Sequence, residues 1–239
     1  MSTTKQEMDS KLAPGEARSR GKQIQELLDD ETVEVPWQLR DAEYTYLGSE
    51  PLDRDHYISQ EWCDKETENL WSRVWQLACF EQDIPEVGDH IVYDIVDWSF
   101  ILVRTEPDTI KAFYNSCLHR GRRLCTNELE PANKPEFRCP FHGLSWNLNG
   151  SLKAIPPSIE FDFPHVNKDE FGLPEVRCER WDGFVFINID DDAEPLMDFL
   201  GGITKHFERW PFANRWKATH SAKIVDSNWK LAQEAFMEA

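Results

Sequence analysis

Two short loops, each offering one cysteine and one histidine, constrain this chain more than any other feature. The first loop contains Cys117 and His119, the second contains Cys139 and His142, and nineteen residues lie between the two pairs. Two thiolates and two imidazoles are the ligand set of one kind of [2Fe–2S] cluster, in which one iron binds both cysteines and the other binds both histidines. Gly143 follows the second pair and permits a tight turn. The chain is therefore predicted to bring both loops together around one cluster.

Two other interpretations of these residues stay open. Zinc also binds two cysteines and two histidines, although its usual pattern pairs like with like along the sequence. Any one buried cysteine or hydrogen-bonded histidine can equally be structural. The alternating order, with His-Arg-Gly after the first pair and Cys-Pro-Phe-His-Gly around the second, favours the cluster. Cys125 lies close enough to the first loop to be considered as a further ligand, which we regard as the weaker alternative.

The charge of the chain limits its partners. The net charge of −18 and the pI near 4.8 argue against nucleic acid and anionic membrane surfaces as ligands. The stretch 120–138 differs from the rest because it has five basic residues against three acidic ones. This local excess is either ordinary surface charge, a docking patch for an acidic electron donor, or charge that favours a reduced cluster.

The six cysteines do not have the spacing of a disulfide framework. Two are candidate ligands, and Cys79 and Cys178 lie in apolar or strand-like runs that predict core packing. The N-terminal stretch is polar and lacks the apolar region of a secretory signal, and no apolar run has the length of a membrane span. These features predict a protein with reduced thiols in the cytoplasm.

Periodicity predicts a mainly β module with helices on either side. Apolar residues at 3.6-residue spacing predict a helix within 53–77, after a polar arm that includes a short helix in 17–30. β-Branched and aromatic runs predict strands, and the turn Asn147-Leu148-Asn149-Gly150 predicts a hairpin, so that both loops lie at strand ends. The predicted strand and hairpin ranges are 90–97, 98–104, 110–115, 136–138, 144–155 and 177–189.

Three domains are predicted from these patterns. Residues 1–75 form an N-terminal arm with helices, residues 76–190 form the β module, and residues 191–239 form a linker and the start of a second domain, with the border at the acidic run 190–195. Within the last part we expect a helix over 196–210, a strand over 216–225, and a final helix from Asn228 capped by Ser227.

The two loops resemble the signature of the Rieske non-haem iron oxygenases, and specifically of their large (alpha) subunits. The resemblance runs from about Trp71 to the last residue, with a spacing between the pairs that suggests a small insertion in 130–135 and with Leu144 where an aromatic residue is common. It implies a Rieske [2Fe–2S] domain followed by the start of an α+β catalytic domain of the helix-grip type. Cys117, His119, Cys139 and His142 are the ligands that it implies.

The resemblance also implies a function. The Asn228-Trp229-Lys230 start of the last helix is similar to the helix that opens the catalytic domain, and Glu238 matches an acidic residue that passes electrons between subunits. The catalytic Fe(II), held by two histidines and a carboxylate, is expected only in a longer protein, with ligands beyond residue 239. A ferredoxin or reductase donor, an aromatic or related organic substrate, and a homotrimer or alpha/beta hetero-oligomer follow from the family. His206 and His220 are expected to be surface or packing residues.

A second class of function is a stand-alone Rieske electron carrier similar to a ferredoxin. Such a carrier needs neither the roughly seventy residues before the β module nor the roughly fifty after it. These additional residues, together with the Asn-Trp-Lys helix start, favour the oxygenase component.

Overall fold

The computed structural model describes residues 24–40, 51–126 and 132–237, in two compact units that divide after Ile58. The described part of the first unit consists of three short helices: α1 (Ile24–Asp29), α2 (Trp37–Arg40) and α3 (Asp55–Ile58). In this unit, Arg40 donates hydrogen bonds to the Asp29 carboxylate and to the Leu28 carbonyl, and these bonds connect α2 to α1.

The second unit contains two antiparallel sheets and several short helices. The described strands are β1 (Gln76–Phe80), β2 (Asp89–Ile95), β3 (Trp98–Glu106), β4 (Thr109–Tyr114), β5 (Ala132–Asn133), β6 (Phe137–Arg138), β7 (Ser145–Trp146), β8 (Leu152–Ala154), β9 (Glu175–Trp181) and β10 (Phe184–Asn188). The described α-helices are α4 (Gln60–Glu66), α5 (Leu196–Leu200), α6 (Gly202–His206) and α7 (Trp229–Met237). A π-helical turn (Thr67–Trp71) follows α4, and 3-10 turns occupy Glu81–Asp83, Pro157–Asp162, Phe207–Arg209 and Phe212–Asn214.

The larger sheet has the strand order β1-β10-β9-β4-β3-β2-β5 and is covered on both faces. Successive side chains of its central strand β3 point to opposite faces, as the two-residue period of a strand requires. Ile101 and Val103 enter the core that contains the two candidate cysteine ligands, whereas Phe100 and Leu102 enter a second core on the other face. The middle of β3, residues 100–103, is therefore a continuous apolar run because both faces of the strand are buried.

The smaller sheet, β6-β7-β8, lies beside the candidate metal loops. Trp146 on β7 and Phe137 on β6 are fully buried in the same core as the two cysteines, and the Trp146 indole donates a hydrogen bond of 3.1 Å to the Phe171 carbonyl. A fixed sheet at the end of each loop holds the ligands on rigid backbone, which is what a site of defined geometry requires.

Most predicted strands are confirmed, and so is the mainly β fold class with flanking helices. The helix expected over 53–77 is only partly correct, because helical structure ends at Trp71 and the chain enters β1 at Gln76. The Gln76 side chain donates a hydrogen bond to the Trp71 carbonyl and so satisfies an acceptor at the helix end. Apolar residues at Val74 and Trp75 fit a helical or a strand period, and in the structure Trp75 packs against Leu196 and Leu200 just before β1 begins.

Three predictions near the end of the chain are corrected. The helix expected over 196–210 is interrupted at Gly201, whose φ of 49° is incompatible with a continuous α-helix. Residues 216–225 are exposed and form no strand, since no described strand lies beside them to pair with. The side chain of Asn228, rather than that of Ser227, accepts the hydrogen bond from the Lys230 backbone N–H at the start of α7.

Cys79 and Cys178 pack in the core, as the sequence predicted. Cys79 is buried, Cys178 is half-buried, and both pack on the second core of the large sheet. Burial raises the pKa of the Cys178 thiol to about 12 and raises the pKa of the Cys79 thiol further. None of the six cysteines, all of which lie in the described ranges, forms a disulfide.

Among the described residues, no helix has the length and apolar character needed to cross a bilayer.

We expect Val96→Gly to raise the free energy of unfolding. Val96 is the first of two residues joining β2 to β3 and has a φ of 52°, a conformation that costs a non-glycine residue about 1–2 kcal/mol. Glycine adopts it freely but loses about 0.5–1 kcal/mol through the entropy of the unfolded chain. A net gain of about 0.5–1 kcal/mol should appear in urea denaturation. The control Val87→Gly, at an exposed residue without positive φ, should lower stability; a loss in both variants would contradict the expectation.

Candidate metal centre

The two candidate loops share one hydrogen-bond pattern although their Cys-to-His spacings differ. In each loop the cysteine N–H donates to a carbonyl five residues later, and a glycine N–H four residues later donates back to the cysteine carbonyl. The distances are 2.9 and 2.9 Å in the first loop, through Arg122 and Gly121, and 2.8 and 3.0 Å in the second, through Leu144 and Gly143. Both glycines have positive φ, 69° and 83°. The two loops are therefore matching tight turns that present their side chains to a common point.

Asn115, which lies two residues before Cys117, connects the two ends of the segment that contains the first loop. Its side chain is buried, and its amide donates to the Cys125 carbonyl (2.8 Å) and to Ser99 Oγ (3.0 Å). Its carbonyl oxygen accepts from the backbone N–H groups of Leu124 (2.9 Å) and Cys125 (3.0 Å). One side chain thus satisfies three buried backbone groups on the far side of the loop. The position of the first ligand pair depends on this network.

The two candidate thiols lie side by side at the base of the loops. Cys117 and Cys139 are 3% and 2% exposed and belong to one core. Burial raises the pKa of the Cys117 thiol, and the adjacent Cys139 thiol raises it as well, whereas hydrogen bonds from the backbone N–H groups of His119 and Arg120 lower it. A bound metal requires the thiolate forms. N–H groups directed at a ligand sulfur are one of the means by which a protein sets the potential of an iron–sulfur cluster.

The two candidate imidazoles lie above the thiols, towards the surface. The ring centroids of His119 and His142 are 4.9 Å apart. The His142 ring stacks on the exposed ring of Phe141 at 3.8 Å, and the His119 ring packs edge-on against Phe163 at 5.4 Å. The site therefore has a buried end formed by the thiol pair and an outer end formed by the imidazole pair.

One nitrogen of His119 shows that these residues fit a [2Fe–2S] cluster. Its Nε2 lies 3.1 Å from the Asp162 carboxylate, while its Nδ1 is buried and has no hydrogen-bond partner among the described residues. A buried ring nitrogen without a partner is costly unless it binds something. Within the described ranges, no three or more His, Cys, Asp or Glu side chains are arranged to hold a single ion. The four candidate ligands instead form one thiol pair and one imidazole pair, which is the arrangement that two irons would require.

The surface around the outer end is basic and apolar. A cleft of about 380 Å³ lies between the loops and is lined by Arg120, Gly121, Arg122, Pro140 and Phe141. Most neighbouring charges are paired: Arg123 with Asp94 at 2.7 Å, and Arg138 and Lys153 both with Glu136. Arg120 and Arg122 make no ion pair with the described residues. Of the five basic residues in 120–138, Arg123 and Arg138 are therefore ion-paired, Lys134 contacts the Cys125 thiol, and Arg120 and Arg122 lie beside the cleft.

Comparison with known proteins agrees with this geometry. The Rieske [2Fe–2S] domain matches residues 74–165, which include both loops. The chain is 29% identical over 196 residues to the biphenyl 2,3-dioxygenase alpha subunit of Rhodococcus jostii (strain RHA1), covering 77% of this chain and 40% of that protein. It is 30% identical over 184 residues to the carnitine monooxygenase oxygenase subunit of Escherichia coli (strain K12), covering 76% and 48%. The chain therefore contains a Rieske [2Fe–2S] domain and is similar to the oxygenase subunits of these enzymes.

The fold is similar to that of a solved dioxygenase. The structure of naphthalene 1,2-dioxygenase from Rhodococcus sp. bound to indole superposes with a TM-score of 0.64 at 29% identity, covering 74% of this chain and 41% of that one. This chain therefore spans less than half the length of these relatives. The similarity extends well outside the Rieske domain, since 196 residues align with the biphenyl enzyme.

The structure brings the four predicted Rieske ligands together and gives the other candidates different contacts. Cys125 is buried in the same core, but its Sγ lies 3.7 Å from Lys134 Nζ, and this contact gives it a partner of its own. His206 packs against Phe207 and Trp210, as expected of a packing residue. Glu238 and residues 130 and 131 of the expected insertion in 130–135 lie outside the described residues, so the role of Glu238 stays a prediction.

Sequence reasoning missed two residues of the Rieske site, Asn115 and Asp162. Neither belongs to a repeating pattern, and neither is itself a candidate ligand. The only sequence signal was proximity: Asn115 lies two residues before Cys117, and Asp162 lies in the Phe-Asp-Phe-Pro stretch after the second loop. Their roles depend on contacts across 9 to 43 residues, which only the fold reveals.

Proposed function

We propose that Cys117 and Cys139 bind one iron of a [2Fe–2S] cluster and that His119 and His142 bind the other, in the electron-accepting part of a Rieske oxygenase. The observation that carries this proposal is the convergence of two matching turns on one point, with the thiols buried and the His119 Nδ1 directed inward without a partner. When bound, the cluster supplies one-electron storage. The chain itself orients the four ligands and excludes water from the thiols.

Electrons are proposed to enter from an acidic ferredoxin or reductase at the outer end. The exposed Phe141 and the arginines Arg120 and Arg122 line the cleft at this end, and the His142 ring stacks on Phe141. Apolar contact flanked by positive charge suits a negatively charged, transient partner, for which charge complementarity mainly raises the association rate. The protein as a whole has a net charge of −18, so this patch distinguishes the cluster end from the rest of the surface.

The complete protein is proposed to oxidise a small organic substrate with O₂ at a separate mononuclear iron. This follows from the relatives, which are named as dioxygenases of biphenyl and naphthalene and as a carnitine monooxygenase. An aromatic or related organic compound is the proposed substrate class, and transfer between neighbouring subunits through Glu238 is the proposed route of the electron. A stand-alone carrier is the less favoured alternative, because the alignment with oxygenase subunits covers about three quarters of this chain.

Electron paramagnetic resonance on the dithionite-reduced protein, with iron and sulfide analysis of the same sample, tests the proposal. We expect about two irons and two sulfides per chain and the low average g value of a cluster with mixed Cys and His ligands. A sample without this signal that contains zinc would overturn the assignment. Four-cysteine ligation would be indicated by a higher average g value and would overturn the histidine assignments alone.

A further inference from the structure

Asp162 is held in place above the site by the same core that holds the thiols. It ends the 3-10 turn Pro157–Asp162, and Ile159 within that turn is 5% exposed and packs in the core shared with Cys117 and Cys139. The turn is closed by hydrogen bonds from Ile159 N to the Pro156 carbonyl (3.0 Å) and from Phe163 N to the Glu160 carbonyl (3.1 Å). The position of this carboxylate is therefore fixed by packing on one side.

The residue after Asp162 fixes the turn on the other side. The Phe163 ring packs edge-on against His119 at 5.4 Å and against Phe171 at 5.4 Å. The Phe171 carbonyl in turn accepts the hydrogen bond from the Trp146 indole. The turn is thus attached to the smaller sheet as well as to the thiol core. The turn that carries Asp162 is therefore anchored on both sides, by Ile159 before it and by Phe163 after it.

The contact between Asp162 and His119 determines which ring nitrogen faces inward. Oδ2 of Asp162 lies 3.1 Å from His119 Nε2, and the two side chains are 27% and 9% exposed. A carboxylate accepts hydrogen bonds, so the proton of the neutral imidazole belongs on Nε2, and the lone pair belongs on the buried Nδ1. Metal-binding histidines commonly donate their other N–H group to a carboxylate, which fixes the ring and strengthens it as a ligand.

His142 has no such carboxylate partner among the described residues. Its ring stacks on Phe141 and no described residue makes a hydrogen bond or an ion pair with it. We infer that Asp162 is a positioning residue that holds His119 as an Nδ1 ligand from within the same chain, so that the two histidines of one iron are supported in different ways. This inference rests on the proposed function, because it requires His119 to be a ligand of the cluster.

Asp162→Asn tests the inference, with Glu160→Gln as the matched control. Both changes remove one negative charge from the same 3-10 turn, but only Asp162 contacts His119, whereas Glu160 makes no ion pair with a described residue. A carboxylate bonded to a ligand imidazole stabilises the oxidised cluster, so its loss should raise the midpoint potential. We expect D162N to shift the potential upwards and to change the g values of the reduced state, whereas E160Q leaves both close to wild type. D162E, which retains the carboxylate, should return both values towards wild type.

Each outcome of this experiment either supports or contradicts the positioning role of Asp162. A folded D162N chain that loses its iron, while D162E and E160Q retain it, would also support the positioning role. Equal potentials and g values in D162N and E160Q would overturn it, and so would loss of the folded state in both D162N and D162E, which would make Asp162 a residue of the fold alone. Absence of any Rieske signal from the wild-type protein would instead refute the proposed function, so the two failures are distinguishable.

Discussion

Replacement of Cys117 by serine should eliminate the signal of the reduced [2Fe–2S] cluster. On the proposed assignment, each iron has two protein ligands, so the change removes half of the protein ligands of one iron. A serine hydroxyl is a harder and more weakly acidic donor than a thiol and does not replace the thiolate. Iron should fall from about two per chain to near zero, with loss of the visible absorbance and of the electron paramagnetic resonance signal.

Cys125→Ser is the matched control for this experiment. Cys125 is also buried, at 2% exposure against 3% for Cys117, and it belongs to the same core and lies eight residues further along the chain. Its thiol contacts Lys134, and burial raises its pKa while Lys134 lowers it. Serine at this position should weaken packing and leave the cluster in place.

Two outcomes would contradict the assignment. A folded C117S variant that keeps both the iron and the signal would remove Cys117 from the ligand set. A folded C125S variant that loses the signal would make Cys125 a ligand and revive the alternative weighed from the sequence. Far-ultraviolet circular dichroism of both variants establishes that each chain is folded before the metal analysis is interpreted.

The sequence predicted the parts of this fold in which pattern and packing agree. In β2 and β3, β-branched and aromatic residues occupy paired positions, and the structure pairs Val92 with Ile101 as the turn near Asp97 required. The four candidate ligands could be proposed from the sequence because their spacing is chemical information that does not depend on the fold. The matching backbone turns that present them follow from glycines four residues after each cysteine, which the sequence shows but does not by itself explain.

Predictions failed where an element depends on a neighbour. Residues 216–225 have the composition of a strand, but strand propensity mostly reflects packing against neighbouring strands. In the structure this segment is exposed, and its described contacts are near its start, where the Lys217 N–H donates to Gln82 Oε1 at 3.1 Å. The predicted helix over 53–77 failed for the reverse reason, because its last residues found a strand partner in β10, with Gln76 opposite Ile187.

The supporting residues of the site were beyond prediction for a physical reason. Asp162 becomes significant only when its turn is packed over His119, 43 residues earlier in the chain. A single carboxylate among the 44 acidic residues of this chain has no pattern to distinguish it. Candidate ligands can therefore be predicted from their spacing in the sequence, whereas the residues that orient them are identified only from contacts in the folded structure.

Asn115→Ala should be among the most destabilising single changes near the site. The variant would leave the N–H groups of Leu124 and Cys125 and the Cys125 carbonyl buried without their present partner. Each buried group that loses its hydrogen bond costs about 1–3 kcal/mol. We expect the free energy of unfolding to fall by about 3 kcal/mol or more in urea denaturation. Because Leu124 and Cys125 end the segment that carries Cys117 and His119, iron retention should fall as well.

Asn133→Ala separates this effect from the general cost of losing an asparagine. Asn133 also makes two side-chain hydrogen bonds, to the Val87 carbonyl at 3.2 Å and to Asp89 Oδ1 at 2.8 Å, but it is exposed. Water can replace those partners, so the loss should stay below about 1 kcal/mol and leave iron content unchanged. Similar losses in the two variants would show that the Asn115 network does not support the loop. A large loss of iron in N115A at temperatures well below its unfolding transition would show that the network positions the ligands as well as stabilising the fold.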